Sequence, residues 1–235
     1  MTLNTYWMKR KFARTPEPKG KAGAAAQSGD SLVYTIQKHM ASRLHYDLRL
    51  EWRGVLLSWA IPRGPSLDPA VKRLALQTED HPLEYAGFEG VIPAGEYGAG
   101  TVLLWDQGAW RPENLNMDGS LPEREIEFTL YGKKLRGSWV LVHTRGMRGS
   151  GHRSTWLLIK HRDRYASSRD VTLDEPRSVA SQRLLSQIAH DGGGNVERAS
   201  MGDPPDTARR KNRAAPAQEI GNVRSANERK DSIPY

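Results

Sequence analysis

The sequence predicts a mainly β protein: an antiparallel β-barrel with little helix, flanked by a flexible N-terminal arm and a disordered basic C-terminal tail. Three observations predict it. Short runs rich in β-branched and aromatic residues recur between Leu32 and about Tyr165, punctuated by Gly and Pro. Helical periodicity is weak throughout that stretch. On either side of it the composition turns to Pro, Gly, Ala, Ser and basic residues, which offer little apolar surface to bury. The expected organisation is an arm and linker over 1–30, a barrel domain over 31–166 and a low-order basic tail over 167–235.

Along the chain, Leu32 to Gln37 is apolar and β-branched and reads as a first strand. His45 to Trp52 alternates strictly between polar and apolar residues, Arg53-Gly54 is a turn, and Val55 to Ile61 returns as a second strand. Thr101 to Trp105, Ile126 to Leu130, Ser138 to His143 and Thr155 to Lys160 supply further strands, with Gly132 and Gly137 flanking one connection. In the tail, Val179 to Ala189 predicts a short amphipathic helix, since Leu184, Leu185 and Ile188 share a face. Gly192-Gly193-Gly194, Pro204-Pro205 and Arg209-Arg210-Lys211 then mark a basic, low-order end.

Composition narrows the chemistry. Lys and Arg number 35 against 27 Asp and Glu, a formal net charge of +8, which favours an anionic partner, nucleic acid being the commonest, or else a solvated basic surface. The absence of cysteine excludes disulfides, thiolate metal sites and cysteine nucleophiles, so any metal must be held by His and carboxylates. The basic start of the chain lacks the apolar core of a secretory signal, and no apolar run approaches the ~20 residues that span a bilayer. A soluble cytoplasmic protein with no membrane partner is expected.

The stretch from Gln37 to Glu51 carries the most chemistry. Alternate residues of a strand share a face, so His45, Asp47, Arg49 and Glu51 form one row opposite Tyr46, Leu48, Leu50 and Trp52. His39 lies at the end of the preceding strand, one short loop away, and could fold back onto the same row. Two imidazoles and a carboxylate give a metal three ligands and leave positions open, the layout of a catalytic site, and the donor set admits Mn²⁺, Fe²⁺, Zn²⁺ or Co²⁺. Arg49, one alternation beyond Asp47, would project beside the metal where a guanidinium can grip phosphate. The competing reading is a solvated polar face on an edge strand. His81, held extended by Pro82, could donate a proton to a leaving oxygen or steady phosphate charge; on its own segment a surface-loop histidine is the simpler reading. Gly90, Pro93, Gly95, Gly98 and Gly100 crowd one loop, which suits close backbone approach to a ligand or a tight turn between strands. His143, His152, His161 and His190 read as structural or solvated.

These motifs resemble the 3′-phosphoesterase domain family of bacterial DNA ligase D in its stand-alone form. The resemblance runs from about Phe12 to Tyr165. It is densest over Gln37 to Glu51, Ser58 to Pro69, Glu79 to Tyr85 with Phe88-Glu89-Gly90, and Ile92-Pro93 through Tyr97-Gly98-Ala99-Gly100 to Trp105-Asp106. It implies a β-barrel enzyme favouring Mn²⁺ that removes a 3′-terminal ribonucleoside and then the 3′-phosphate left behind. It further implies metal ligation by His39, His45 and Asp47, phosphate binding by Arg49, and active-site positions at His81, Tyr85, Arg73 and Glu79. Arg63 stands where the family usually has lysine, a change of donor geometry at a phosphate contact. The arm matches through Phe12, Thr15, Glu17 and Pro18, so Glu17 and Arg10 are candidate contributors. The family often shows Arg-Asp before that Phe, and Arg10-Lys11 stands here, which bears on the balance between the two reactions.

The function expected is therefore metal-dependent healing of DNA 3′ ends during double-strand break repair, on primer–template ends that include ribonucleotide-terminated ones. A separate ligase, polymerase or end-binding protein would complete the joining. A non-catalytic DNA-end-binding module and a non-haem Fe²⁺ oxygenase are the alternatives, the latter because two His and one carboxylate on a barrel also serve that chemistry.

Overall fold

The computed structural model describes residues 2–21, 32–144 and 154–205. Among these residues nine strands form one antiparallel sheet: β1 (Leu32–Met40), β2 (Leu44–Trp52), β3 (Val55–Ile61), β4 (Arg73–Gln77), β5 (Gly90–Ile92), β6 (Gly100–Pro112), β7 (Glu125–Gly132), β8 (Arg136–His143) and β9 (Thr155–Lys160). Their order is β1-β2-β3-β4-β9-β8-β7-β6-β5, and a further pairing of β1 with β6 closes the sheet into an eight-stranded barrel with β5 appended on β6. Closure removes the exposed edges that an open sheet must protect. The predicted barrel is thus observed, and among the described residues no helix is long and apolar enough to cross a membrane.

Every ring strand sends alternate side chains into one cluster. Tyr34, Ile36, Leu48, Leu50, Trp59, Ala75, Leu103, Trp105, Phe128, Leu141 and Leu158 are all buried there. The alternation read from His45 to Trp52 therefore has its apolar half in the barrel core. A register shift between Ile36 and Gln37 on the β1–β6 ladder pairs Ile36 with Asp106 and Gln37 with Leu104, leaving Trp105 as the extra residue. The bulge turns both Trp105 and Asp106 inward. Asp106 is then satisfied by the Tyr34 hydroxyl at 2.5 Å and by the backbone N–H groups of Lys133, Lys134 and Leu135.

Order extends further than expected at both ends. The arm holds a short helix α1 (Asn4–Met8), and Tyr6, Thr15 and Glu17 are buried. Beyond the barrel, 167–204 is not a low-order tail but carries α2 (Val171–Asp174), α3 (Leu185–Asp191) and α4 (Val196–Ser200). Its sparse apolar residues cannot form a core alone, but Val171, Leu185, Ile188, Ala189 and Ala199 join that of the barrel. The Trp105 indole donates to the Glu175 carbonyl, and the Val179 N–H to that of Leu104. The amphipathic helix begins at Leu185 rather than Val179. The Ser178 hydroxyl instead accepts from the N–H groups of Ala180 and Ser181, and Gln182 sits at a positive φ of 61°. The basic run Arg209-Arg210-Lys211 lies outside the described residues.

Candidate metal centre

The outer wall of β1, β2 and β3 carries the site. Cross-strand partners align His39 with His45, Gln37 with Asp47, and Arg49 with Ser58. Because facing residues of adjacent strands share a side, these polar groups project together, away from the core. The edge-strand alternative fails here. β2 is paired on both sides, and His39, Asp47, Arg49 and Glu51 are all buried. Their cover is the N-terminal arm and the 3-10 turn Leu83–Gly87, whose Tyr6, Tyr85 and Ala86 pack with Leu56 of β3 in a second apolar cluster.

The ligand atoms of His39, His45 and Asp47 lie within 4.8 Å of one another. Asp47 Oδ2 is 3.6 Å from His39 Nδ1, 3.6 Å from His45 Nε2 and 3.5 Å from Arg49 Nη2. His45 Nδ1 is 3.0 Å from the Arg43 carbonyl, to which it donates, so the proton lost on metal binding comes from Nε2, whose lone pair then faces Asp47. His39 Nε2 is buried without a hydrogen-bond partner. A carboxylate, two imidazoles aimed at it and an orphaned buried nitrogen fit a divalent cation, which favours mixed N and O donors in this number.

The local electrostatics suit that use. Burial pushes the Asp47 carboxyl up, but the charges of His45 and Arg49 and the two imidazole hydrogen bonds hold it well below the usual carboxylate range. Burial lowers His39 and only partly loses to Asp47, so His39 is neutral. Burial also opposes charge on His45, yet Asp47 and the Arg43 carbonyl outweigh it and raise its pKa above the ordinary 6.5. His45 must shed its proton to bind a cation. Metal affinity is therefore expected to weaken as pH falls below the raised His45 pKa, by roughly tenfold per pH unit for one displaced proton. Calorimetric titration with Mn²⁺ at pH 8, 7 and 6 measures this, and a flat profile would remove His45 from the ligand set.

Arg49 is held on three sides: Nε donates to Gln37 Oε1 at 2.7 Å, Nη1 to Ser58 Oγ at 2.9 Å, and Nη2 reaches Asp47. His81 is not a surface-loop residue. Its backbone bridges Leu56 of β3, and its side chain is buried. Nδ1 donates to the Glu79 carbonyl at 2.8 Å, leaving Nε2 to accept from Arg10 Nη2 at 3.2 Å. Burial, then the charges of Arg49 and Arg10, push its pKa well down, so His81 is a neutral acceptor rather than a standing proton donor.

Around it the arm completes an ion network. Arg10 pairs with Glu17 at 2.8 Å and Glu79 at 3.2 Å, and Lys9 pairs with Glu79 at 2.9 Å. Glu17 also accepts from the hydroxyls of Tyr85 at 2.9 Å and Thr15 at 2.8 Å. Tyr85 lies under Arg49, whose guanidinium carbon is 4.7 Å from the ring centroid. Lys11 is exposed, so the carboxylates serving Arg10 are Glu17 and Glu79.

The structure thus brings together His39, His45, Asp47, Arg49, His81, Glu79, Tyr85, Glu17 and Arg10. Arg63 and Arg73 make no hydrogen bond or ion pair with this group. Arg63 is exposed, and Arg73 on β4 has a buried Nε without a partner. The sequence reading assigned no role to Gln37, Ser58 or Lys9. Gln37 was detectable, since it stands two residues from His39 on the same strand face. Of the remaining histidines, His143 packs at a tilt against Trp156, His161 contacts Ser138 and His190 is exposed beside Asp191. His152 lies outside the described residues.

Comparison with known proteins bears on this site. Residues 37–143 match the family described as the DNA Ligase D 3′-phosphoesterase domain. The chain is 52% identical over 186 residues to the multifunctional non-homologous end joining protein LigD of Pseudomonas aeruginosa, covering 78% of this chain and 22% of that protein. It is 44% identical over 151 residues to the multifunctional non-homologous end joining DNA repair protein LigD of Mycobacterium tuberculosis, covering 64% of this chain and 19% of that protein. The chain spans about a fifth of the length of these relatives.

Proposed function

Because the chain belongs, through its residues 37–143, to the DNA Ligase D 3′-phosphoesterase family, we infer that it is a metal-dependent phosphoesterase that heals DNA 3′ ends for end joining. The observation that carries this reading is the set of buried His39 and Asp47 with half-buried His45, with Arg49 beside it on a polar wall facing away from the core. A divalent cation held there, with Mn²⁺ the first choice, supplies positive charge to a phosphate oxygen and so lowers the barrier to attack at phosphorus.

The chain's own groups do the rest. Arg49 has two N–H groups beyond those engaged with Gln37, Ser58 and Asp47, and these can grip a non-bridging oxygen. The Arg10 guanidinium meets a second oxygen, and His81 Nε2 joins it only once that nitrogen carries a proton. A proton passes from His81 to the leaving oxygen only after Nε2 has taken one up, since the free protein holds His81 neutral. Glu79 and Glu17 fix Arg10, and Tyr85 supports Arg49 from below. Arg63 and Arg73 are assigned to the phosphates of the approaching strand, which makes activity fall as salt rises. The substrates are primer–template 3′ ends ending in a ribonucleotide or a 3′-phosphate, and a ligase and polymerase act on the healed product.

The deciding experiment is a labelled primer–template ending in one ribonucleotide, incubated with and without Mn²⁺ and sized. A product shortened by one nucleoside with a 3′-phosphate should appear first, followed by a 3′-hydroxyl end. Binding of the primer without any change in its length would leave an end-binding module. Oxygen uptake without phosphate release would leave an oxygenase.

A further inference from the structure

Between β5 and β6 the glycine-rich loop runs past His39 of the candidate metal centre. Two tight turns shape it: the Glu96 N–H donates to the Pro93 carbonyl at 3.2 Å and the Ala99 N–H to that of Glu96 at 3.1 Å. Gly98, at φ +77°, neighbours His39: a β-carbon there would stand in ordinary contact, 3.9 Å, with the ring's Cε1. The residue before it, Tyr97, is 43% exposed. An exposed aromatic ring usually moves freely, but this one is held. Lys9 Nζ donates to its hydroxyl at 3.1 Å and lies 4.6 Å from the ring centroid. The Arg10 guanidinium carbon is 5.5 Å from the same centroid, and its Nη2 is bonded to His81 Nε2. One residue earlier, Glu96 is clamped to the arm by Arg14 at 2.9 Å. Tyr97 therefore sits half exposed beside the site, next to Gly98 and the His39 ring and beside the Arg10 cation that touches His81.

We propose that Tyr97 is the stacking platform for the terminal nucleobase of the substrate strand. The proposal rests on the end-healing reading and adds a nucleoside subsite to it. A phosphate gripped by Arg49 and Arg10 leaves the attached nucleoside beside Tyr97, where the groups on offer are cations and an immobilised ring. Cations attract any phosphate. A π-face accepts any base regardless of sequence, which suits an enzyme that must act on ends of arbitrary sequence. Anchoring by Lys9 and the Arg14–Glu96 clamp removes beforehand the freedom that stacking would otherwise cost. The subsite selects esters carrying a nucleoside over small phosphate esters.

The test uses a primer–template whose last nucleotide is the 2′-deoxynucleotide of 2-aminopurine with an ordinary 3′-hydroxyl, which presents neither the terminal ribonucleoside nor the 3′-phosphate that the proposed reactions remove. Titration of wild-type protein with Mn²⁺ present should quench the fluorophore as it stacks. Tyr97→Phe, which keeps the ring and loses only the Lys9 hydrogen bond, should still quench it, and Tyr97→Ala should fail to do so and bind about tenfold more weakly. On a 3′-phosphate primer the alanine variant should raise KM by a similar factor while its Mn²⁺ titration matches wild type. Quenching by Tyr97→Ala, absence of quenching by wild type, or a phenylalanine variant behaving like alanine overturns the platform. Quenching by a wild-type protein that never releases phosphate would instead sink the phosphoesterase reading and leave the platform standing.

Discussion

Asp47→Ala is expected to lose phosphate release from a 3′-phosphate primer by on the order of a thousandfold, about 4 kcal/mol of barrier at 1.36 kcal/mol per decade. Its Oδ2 is the point on which His39, His45 and Arg49 converge, at 3.6, 3.6 and 3.5 Å. Removing it takes the anionic ligand from the set and the counter-charge from a buried pocket. Metal affinity should fall by more than the roughly 10–100-fold seen when only a supporting partner of a ligand is lost. Asp47→Asn separates charge from shape, since it keeps the volume and loses the negative oxygen pair. The fold should survive in both variants. Arg49 retains Gln37 and Ser58, and the apolar face of β2 is untouched. Cation titration, phosphate release and thermal unfolding measured together read all three effects. An alanine variant with undiminished turnover would refute the metal centre outright.

Why that centre was visible in the chain, and its surroundings were not, follows from how each is encoded. The ligand row sits on two adjacent strands joined by a short turn, so a period of two places Asp47, Arg49 and His45 on one face before any coordinates exist. Periodicity says nothing about whether that face is covered. Arg49 is covered by the ring of Tyr85, which packs with Tyr6 of the arm, and both lie far along the chain, in opposite directions. His81 shows the same gap. Its loop signature is real, but the backbone bridge to Leu56 that carries it into the site is a long-range pairing. Arg10 contacts a residue 71 positions away, and no local pattern reports such a bond. The segment after Ser167 was obscured for a different reason. Averaged over many residues its composition is polar, while the few apolar side chains that matter, such as Leu185 and Ile188, fill the barrel's existing core. Composition measures whether a segment can fold alone, not whether it can finish another fold.

Arg49→Lys is expected to cost about 10²–10³ in kcat/KM on a 3′-phosphate primer while Mn²⁺ affinity stays within a fewfold of wild type. The charge is kept, so a purely electrostatic role would predict little change. Geometry is what is lost. Arg49 spends separate N–H groups on Gln37, Ser58 and Asp47 and still has one free on each terminal nitrogen. A lysine has three donors on one atom and a shorter reach, so it cannot satisfy Gln37 Oε1 and Ser58 Oγ and also present a fork to phosphate. The unpaired buried oxygens should also lower stability by about 1–3 kcal/mol, seen as an earlier denaturant midpoint. A double change with Gln37→Ala distinguishes the two consequences. It removes one stranded acceptor and should recover part of the stability, but none of the rate, because the missing fork faces the substrate rather than the wall. If the lysine enzyme turned over like wild type, Arg49 would be a structural cation and phosphate gripping would have to be reassigned to His81 and Arg10.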